Sequence, residues 1–177
     1  MPKARKRNAV PLTVSRPALL VEGSDAQFRG FIHDLIGYGH RLDACREAFA
    51  SIAGVSPAQY EILMLVSRAD GLSVGEVAAR LHRSGAFITI EANRLVSRGI
   101  LEKGSDPADG RRVLLFGTPT TLQLLRKLAP YQARINDVLF GHLDAKRFRE
   151  LRALARELLA AGDRAVVLLE LLVREAA

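Results

Sequence analysis

The sequence predicts a mainly α-helical fold with one small β-hairpin, and three observations predict it. The stretches "SDAQ" from residue 24, "SPAQ" from 56 and "SVGE" from 73 each place Ser three residues ahead of Gln or Glu, the pattern of a capping box at a helix start. Apolar residues between these points recur at spacings of three and four, the period of an amphipathic helix. One region departs from that period: Ile100–Lys103 and Val113–Phe116 suit strands and flank a loop rich in Asp, Pro and Gly.

Composition bounds what such a fold can do. A chain of 177 residues is long enough to bury a substantial core. Its 26 Lys and Arg against 19 Asp and Glu give +7, and a basic excess of this size points to a polyanionic partner. Over half of the excess lies at the start, where Lys3, Arg5, Lys6, Arg7 and Arg16 face only Glu22. Residues 1–23 read as a flexible basic arm, a solvated tail without a role being the alternative, and residues 24–177 as a single domain. The lone Cys45 excludes an intramolecular disulfide and suits a reducing cytoplasm. No apolar run approaches the ~20 residues of a membrane helix. The best candidate, residues 165–173, is broken by Glu170, and Pro11, Thr13, Ser15, Arg16 and Pro17 interrupt any signal-peptide core. A cytoplasmic protein with no membrane partner is expected.

The first helix carries Phe28, Ile32, Leu35, Leu42, Cys45, Phe49 and Ile52 on one stripe and ends at "AGVSP". The second runs from Pro57, which needs no N–H there, to about residue 68. A third over 74–81 and a fourth from Ser84 to Gly99 are separated only by His82 and Arg83, a helix-turn-helix arrangement. Ala78 lets the two helices approach, His82 tolerates the left-handed backbone of the turn, and Ile88, Ala92 and Leu95 bind the fourth helix to the body. The hairpin that follows makes a wing, so residues 55–117 form a winged helix-turn-helix lobe.

Arg111 and Arg112 at the wing tip can bury nothing. A guanidinium there can enter a narrow minor groove while the fourth helix lies in the adjacent major groove of double-stranded DNA. Asp109 is expected to hold the Arg111 side chain by a charge-assisted hydrogen bond, leaving Arg112 to meet the phosphate backbone. A solvated turn with incidental charge is the plainer alternative.

"VGEVAARLHRSGAFITIEANRLVSRGILEKGSDPADGRRVLLFGT", residues 74–118, resembles the winged helix-turn-helix of the MarR family, and "SPAQYEILMLV" at 56–66 resembles the family's second helix. The specific parts are "NRLVSRGILEK", the wing "DPADGRR" with its Asp-x-Arg, and Thr118 opening the next helix. The resemblance implies an obligate homodimer that binds pseudo-palindromic operators and often releases them on binding small aromatic acids or on oxidation. Departures are visible too. Phe87, Ile90 and Glu91 occupy positions read as exposed on the recognition helix, and Gly117 stands where a leucine is usual. Phe87 can touch a thymine methyl, and Arg83, Ser84, Thr89, Asn93 and Arg94 are available to bases or phosphates. Glu91 repels phosphate unless paired with Arg94 or aimed at a cytosine amine.

Residues 118–177 read as two helices, the first with a kink or break at Pro130 and the second starting at Asp144, with Gly162 allowing a bend. The second ends apolar on more than one face, from Val166 to Val173. With residues 24–54, these helices are expected to bury that surface against a second copy, intramolecular packing being the alternative. Ligand candidates are His33, His40, Arg46 and Tyr60, since the family's cleft between its dimer-forming helices and its DNA-binding lobe receives aromatic carboxylates. Each is also readable as a surface or interface group. Cys45 lies on the apolar stripe and reads as an inert thiol, although some family members use a helix-one cysteine as an oxidation sensor. No metal or cofactor site is expected, and no nucleophile elbow, phosphate loop, dinucleotide fingerprint or zinc-protease motif occurs, so the chain is not expected to be an enzyme. A protein-interaction adaptor with little DNA binding is the alternative function.

Overall fold

A computed structural model describes residues 10–106 and 108–176. The chain divides into two compact units, residues 1–128 and 129–177. The first holds α1 (Ala26–Ala53), α2 (Pro57–Val66), β1 (Leu72–Ser73), α3 (Val74–Leu81), α4 (Gly85–Ser97), β2 (Leu101–Ser105), β3 (Val113–Gly117) and the start of α5 (Pro119–Phe140). The rest of α5 and all of α6 (Ala145–Glu175) form the second. The mainly helical architecture with a small β-wing is the one expected from the sequence.

Two of the three capping boxes form. Ser56 with Gln59 and Ser73 with Glu76 exchange bonds in both directions, satisfying two of the donors each helix start leaves open. The third, at Ser24, does not. The N-cap of α1 is Asp25, whose side chain does not cap the helix. Its carboxylate is buried and accepts bonds from the Thr13 amide at 2.8 Å and the Thr13 hydroxyl at 2.7 Å. Arg29 pairs with it at 2.5 Å. Within the stretch read as a flexible arm, Thr13 thus ties residues 10–23 to α1, and a 3-10 turn at Pro17–Leu19 and a bridge between Val21 and Ser24 follow it. Residues 1–9, with most of the basic charge, lie outside the described residues.

α3 stops at His82, which adopts the expected left-handed conformation at φ 49°, ψ 46°. The hairpin β2–β3 is antiparallel, Leu101 opposite Gly117 through Ser105 opposite Val113. β1 adds a third strand on the far side of β3, Leu72 opposite Leu115. Two residues are too few to show alternation, and the sequence reading had no β1. Inside the lobe Ile62, Leu63, Val77, Ile88, Ala92, Leu95, Leu101 and Leu115 make one core, each larger side chain worth roughly 1.5–3 kcal/mol of burial. Phe49, Ala50, Ala53, Tyr60 and Leu128 make a second, which half-buried Cys45 packs against.

Of the kink or break expected at Pro130, the break is absent: α5 runs through it as one helix. A proline removes a single backbone donor, and the bonds on either side carry the helix across. α6 is one helix through Gly162, started by Asp144, whose carboxylate accepts the Arg147 amide at 2.8 Å. None of its residues is buried. On α1 the stripe read as core splits, with Ile32, Leu35 and Leu42 exposed and only Phe49 buried.

Candidate nucleic-acid interface

The helix α4 is held from behind and open in front. Ile88, Ala92 and Leu95 are fully buried, and the Ser84 hydroxyl accepts the Phe87 amide at 3.2 Å, fixing the first turn. The outward face carries Arg83, Phe87, Ile90, Asn93 and Arg94, all exposed. The Arg83 guanidinium lies over the Phe87 ring, 5.8 Å from its centroid, a cation–π contact that orients the charge at the start of the helix. Ser84 is engaged as the cap, and the Thr89 hydroxyl donates to the Gly85 carbonyl at 2.8 Å. The direct presenters of chemistry on this face are therefore Arg83, Phe87, Asn93 and Arg94.

Glu91, read from sequence as exposed, is buried. It lies three residues after Ile88 and four before Leu95, which puts it on the inward stripe. One carboxylate oxygen accepts from Gln59 Nε2 at 2.9 Å and the other pairs with Arg94. The pairing with Arg94 is the one under which the sequence reading expects Glu91 not to repel phosphate.

The wing differs from expectation in which arginine is held. Asp109 accepts the backbone amide of Arg111 at 3.1 Å, not its guanidinium, because an Asp two residues ahead closes an Asx-turn more readily than it reaches a long side chain. Arg112 is the arginine with carboxylate partners, Glu76 and Asp106, each at 3.5 Å. Glu76 also receives the Ser73 hydroxyl at 2.6 Å and the Ser73 amide at 2.8 Å. These two bonds, hydroxyl first, hold its carboxyl below the usual glutamate value, with Arg112 and Arg80 adding to them. The second wing arginine thereby bridges the loop and the start of α3, while Arg111 is exposed at the tip. The sequence reading missed Glu76, Asp106 and Gln59 as partners, since pairings across 6 to 36 residues leave no period.

The four ligand candidates are not brought to one place. His33 lines a groove of about 330 Å³ on α1 with Asp34, Gly37, Tyr38 and Arg41. Burial pushes the Tyr38 phenol above its ordinary value, with Cys45 adding to it. His40 is exposed on the same helix. Arg46 is committed to Asp43 at 3.2 Å and to Glu61 of α2. Tyr60 is buried with its ring 6.3 Å from that of Phe49. No cluster of His, Cys, Asp and Glu able to hold a metal occurs among the described residues, and no single helix among them is long and apolar enough to cross a membrane.

A family model described as MarR family matches residues 53–112, from the end of α1 through the wing tip. Over 147 residues the chain is 28% identical to a protein assigned to regulation of the hcr operon in Thauera aromatica, covering 78% of this chain and 87% of that one. Among solved structures, the PcaV transcriptional regulator of Streptomyces coelicolor, in complex with its natural ligand, is 29% identical with a TM-score of 0.53, over 71% of this chain and 91% of its own. CouR of Rhodococcus jostii RHA1, bound to p-coumaroyl-CoA, shares the fold at 18% identity with a TM-score of 0.67, over 76% of this chain and 95% of its own.

Proposed function

We propose that the chain, matched over residues 53–112 by a MarR family model and 28% identical to a transcriptional regulatory protein, is a MarR-type, sequence-specific DNA-binding repressor, without catalytic activity, acting in the cytoplasm as a homodimer on a pseudo-palindromic operator. The observation that carries this reading is the pairing of one open helix face with one exposed wing-tip cation on a single lobe. α4 presents Arg83, Phe87, Asn93 and Arg94, and the adjacent hairpin carries Arg111 beyond the body of the fold. An α-helix fits the major groove, and a wing arginine fits the flanking minor groove, where narrow A·T-rich stretches concentrate negative potential. Among the nine residues assigned to DNA, Ser84, Thr89 and Asp109 act by shaping the turn and the loop, and Arg112 by bracing the wing.

The dimer is supported by the apolar side chains that α1 and α6 leave exposed, Ile32, Leu35 and Leu42 on the one and Leu168, Leu171 and Leu172 on the other. A two-fold pair of lobes matches a palindromic site. Ligand release draws on the ligand-bound relatives, and a small aromatic acid is the class proposed. His33, Tyr38 and Arg41 offer a basic ring, a phenol and a guanidinium along one groove, the donors a carboxylate with an aromatic body would use.

Enrichment of duplexes from a randomised pool, followed by anisotropy titration of the winner and a scrambled control, tests the reading. A regulator is expected to bind the winner at least 10³-fold more tightly. Equal binding to both, or enrichment of nothing, would favour the adaptor reading instead.

A further inference from the structure

We propose that Glu91 is a positioning residue that fixes Arg94 for one register of the duplex and withholds its charge from DNA at large. The inference rests on the DNA-reading function proposed above and concerns a group that function does not itself require: a carboxylate buried in the core side of the recognition helix.

Three observations carry it. First, burying a carboxylate is costly unless it is bonded, and both oxygens of Glu91 are used, one by Gln59 and one by Arg94. Second, Gln59 is itself fixed, because its amide oxygen accepts the Ser56 amide at 3.2 Å and its backbone N–H donates to the Ser56 hydroxyl at 3.2 Å, as the third residue of α2. The carboxylate is therefore oriented from a second helix, 32 residues away in sequence. Third, the Glu91 side chain is 9% exposed and that of Arg94 62%, so the pair runs from the core to the face of α4 that meets solvent. The guanidinium has five N–H donors. Glu91 engages Nη1 of it, on a side chain that is otherwise 62% exposed.

The consequence for recognition follows from charge. A free arginine contributes to every encounter with a phosphate backbone, specific or not, by displacing a counterion. An arginine neutralised and aimed by a buried carboxylate contributes little at long range and much at the one alignment it fits. Glu91 thus raises the ratio of specific to non-specific binding without touching DNA. Like-sized glutamine keeps the bond to Gln59 and loses the pairing with Arg94; leucine removes both and fills an apolar site.

Two measurements on the full chain test this. In the first, the Nη–Hη signals of Arg94 are followed by ¹⁵N NMR, assigned by their loss in Arg94→Lys. Restrained, resolved signals are expected in the wild type and averaged ones in Glu91→Gln and Glu91→Leu. In the second, the duplex enriched by the wild type and a scrambled duplex are titrated at two salt concentrations. Both variants are expected to lose about tenfold in the ratio of the two affinities, with tighter binding to the scrambled duplex and a salt slope there steeper by about one per subunit. Glu91→Leu is expected to lose this ratio while melting no lower than Glu91→Gln, which a purely structural role would not produce. An unchanged ratio in both variants, or Arg94 signals as restrained in Glu91→Gln as in the wild type, overturns the proposal. If the wild type enriches no sequence, the DNA-reading function fails and the NMR signals alone decide the positioning role.

Discussion

Replacing Gly71 by Ala strikes the wing from inside the fold. Gly71 sits just before β1 at φ +107°, a backbone conformation L residues rarely adopt. A Cβ there would lie 2.6 and 2.9 Å from two ring carbons of Phe116 and 3.0 Å from Leu114 Cδ1. The backbone conformation alone costs roughly 1–2 kcal/mol, and forcing the ring and the Leu114 methyl aside costs about 1–3 more. Against this, losing a glycine from the unfolded chain returns about 0.4–1 kcal/mol. A net loss of about 1–4.5 kcal/mol is expected from these terms. A Cβ added at Gly104 would meet the same ring, 3.0 Å from Phe116 Cε2, but without the positive φ, so Gly104→Ala should cost only about 1 kcal/mol. At Gly85 a Cβ meets nothing within 4 Å, and Gly85→Ala at the start of α4 should be neutral or gain up to about 0.5–1 kcal/mol. Urea denaturation with a common slope ranks the three. Because Phe116 belongs to β3, the Gly71 variant should also lose DNA affinity at a temperature where it remains folded. Gly71→Ala within about 0.5 kcal/mol of wild type, the range of an ordinary surface change, would refute the packing described for the ring.

Three further outcomes follow from the same geometry. Asp25, lowered by the Thr13 amide and then the Thr13 hydroxyl, and Glu76, lowered by Ser73, both stabilise the fold above their ordinary values of 3.8 and 4.5. That stability should disappear as pH falls through their still lower folded values, and in urea titrations from pH 7 to 3 Asp25→Asn and Glu76→Gln should flatten the acid limb. Leu95→Ala, at a fully buried site, should cost about 2–5 kcal/mol by thermal or urea unfolding, while Ile90→Ala, half exposed on the same helix, should cost about 0.5 kcal/mol or less. Cys45→Ser should lower stability slightly by placing a hydroxyl against the Phe49 cluster, with DNA affinity indifferent to peroxide in both forms. Peroxide-induced release confined to the wild type would make Cys45 a sensor.

The features legible in the sequence are those with a local cause. Ser56 and Ser73 cap because their partners stand three residues away, and His82 ends α3 because a two-residue link leaves the turn one conformation to take. The stripe Ile88, Ala92, Leu95 is visible from its spacing alone. Glu91 was legible by the same arithmetic, but its charge argued for solvent, and only a donor from α2 makes its burial tolerable. Asp25 illustrates the same competition: local pattern favours Ser24 as a cap, and a bond to Thr13, 12 residues earlier, decides otherwise. The wing shows the limit most clearly. An exposed arginine at its tip is legible, whereas the bracing of Arg112 by Glu76 depends on how the hairpin folds back on α3. On α1 and α6 the period is equally plain, yet period says only that a face is apolar and not what covers it.

The central claim is that α4 and the wing contact DNA together, with Arg111 in the minor groove and Arg112 as a brace. Hydroxyl-radical cleavage of the enriched duplex reads minor-groove protection directly. Wild type is expected to protect two short minor-groove stretches, one flanking each half-site. Arg111→Ala should lose both while protection of the half-site centres persists. Arg112→Ala should weaken every protection together, because a loosened wing affects the whole lobe. Identical footprints for wild type and Arg111→Ala at saturating protein would contradict the placement of that arginine and with it the two-groove mode of binding.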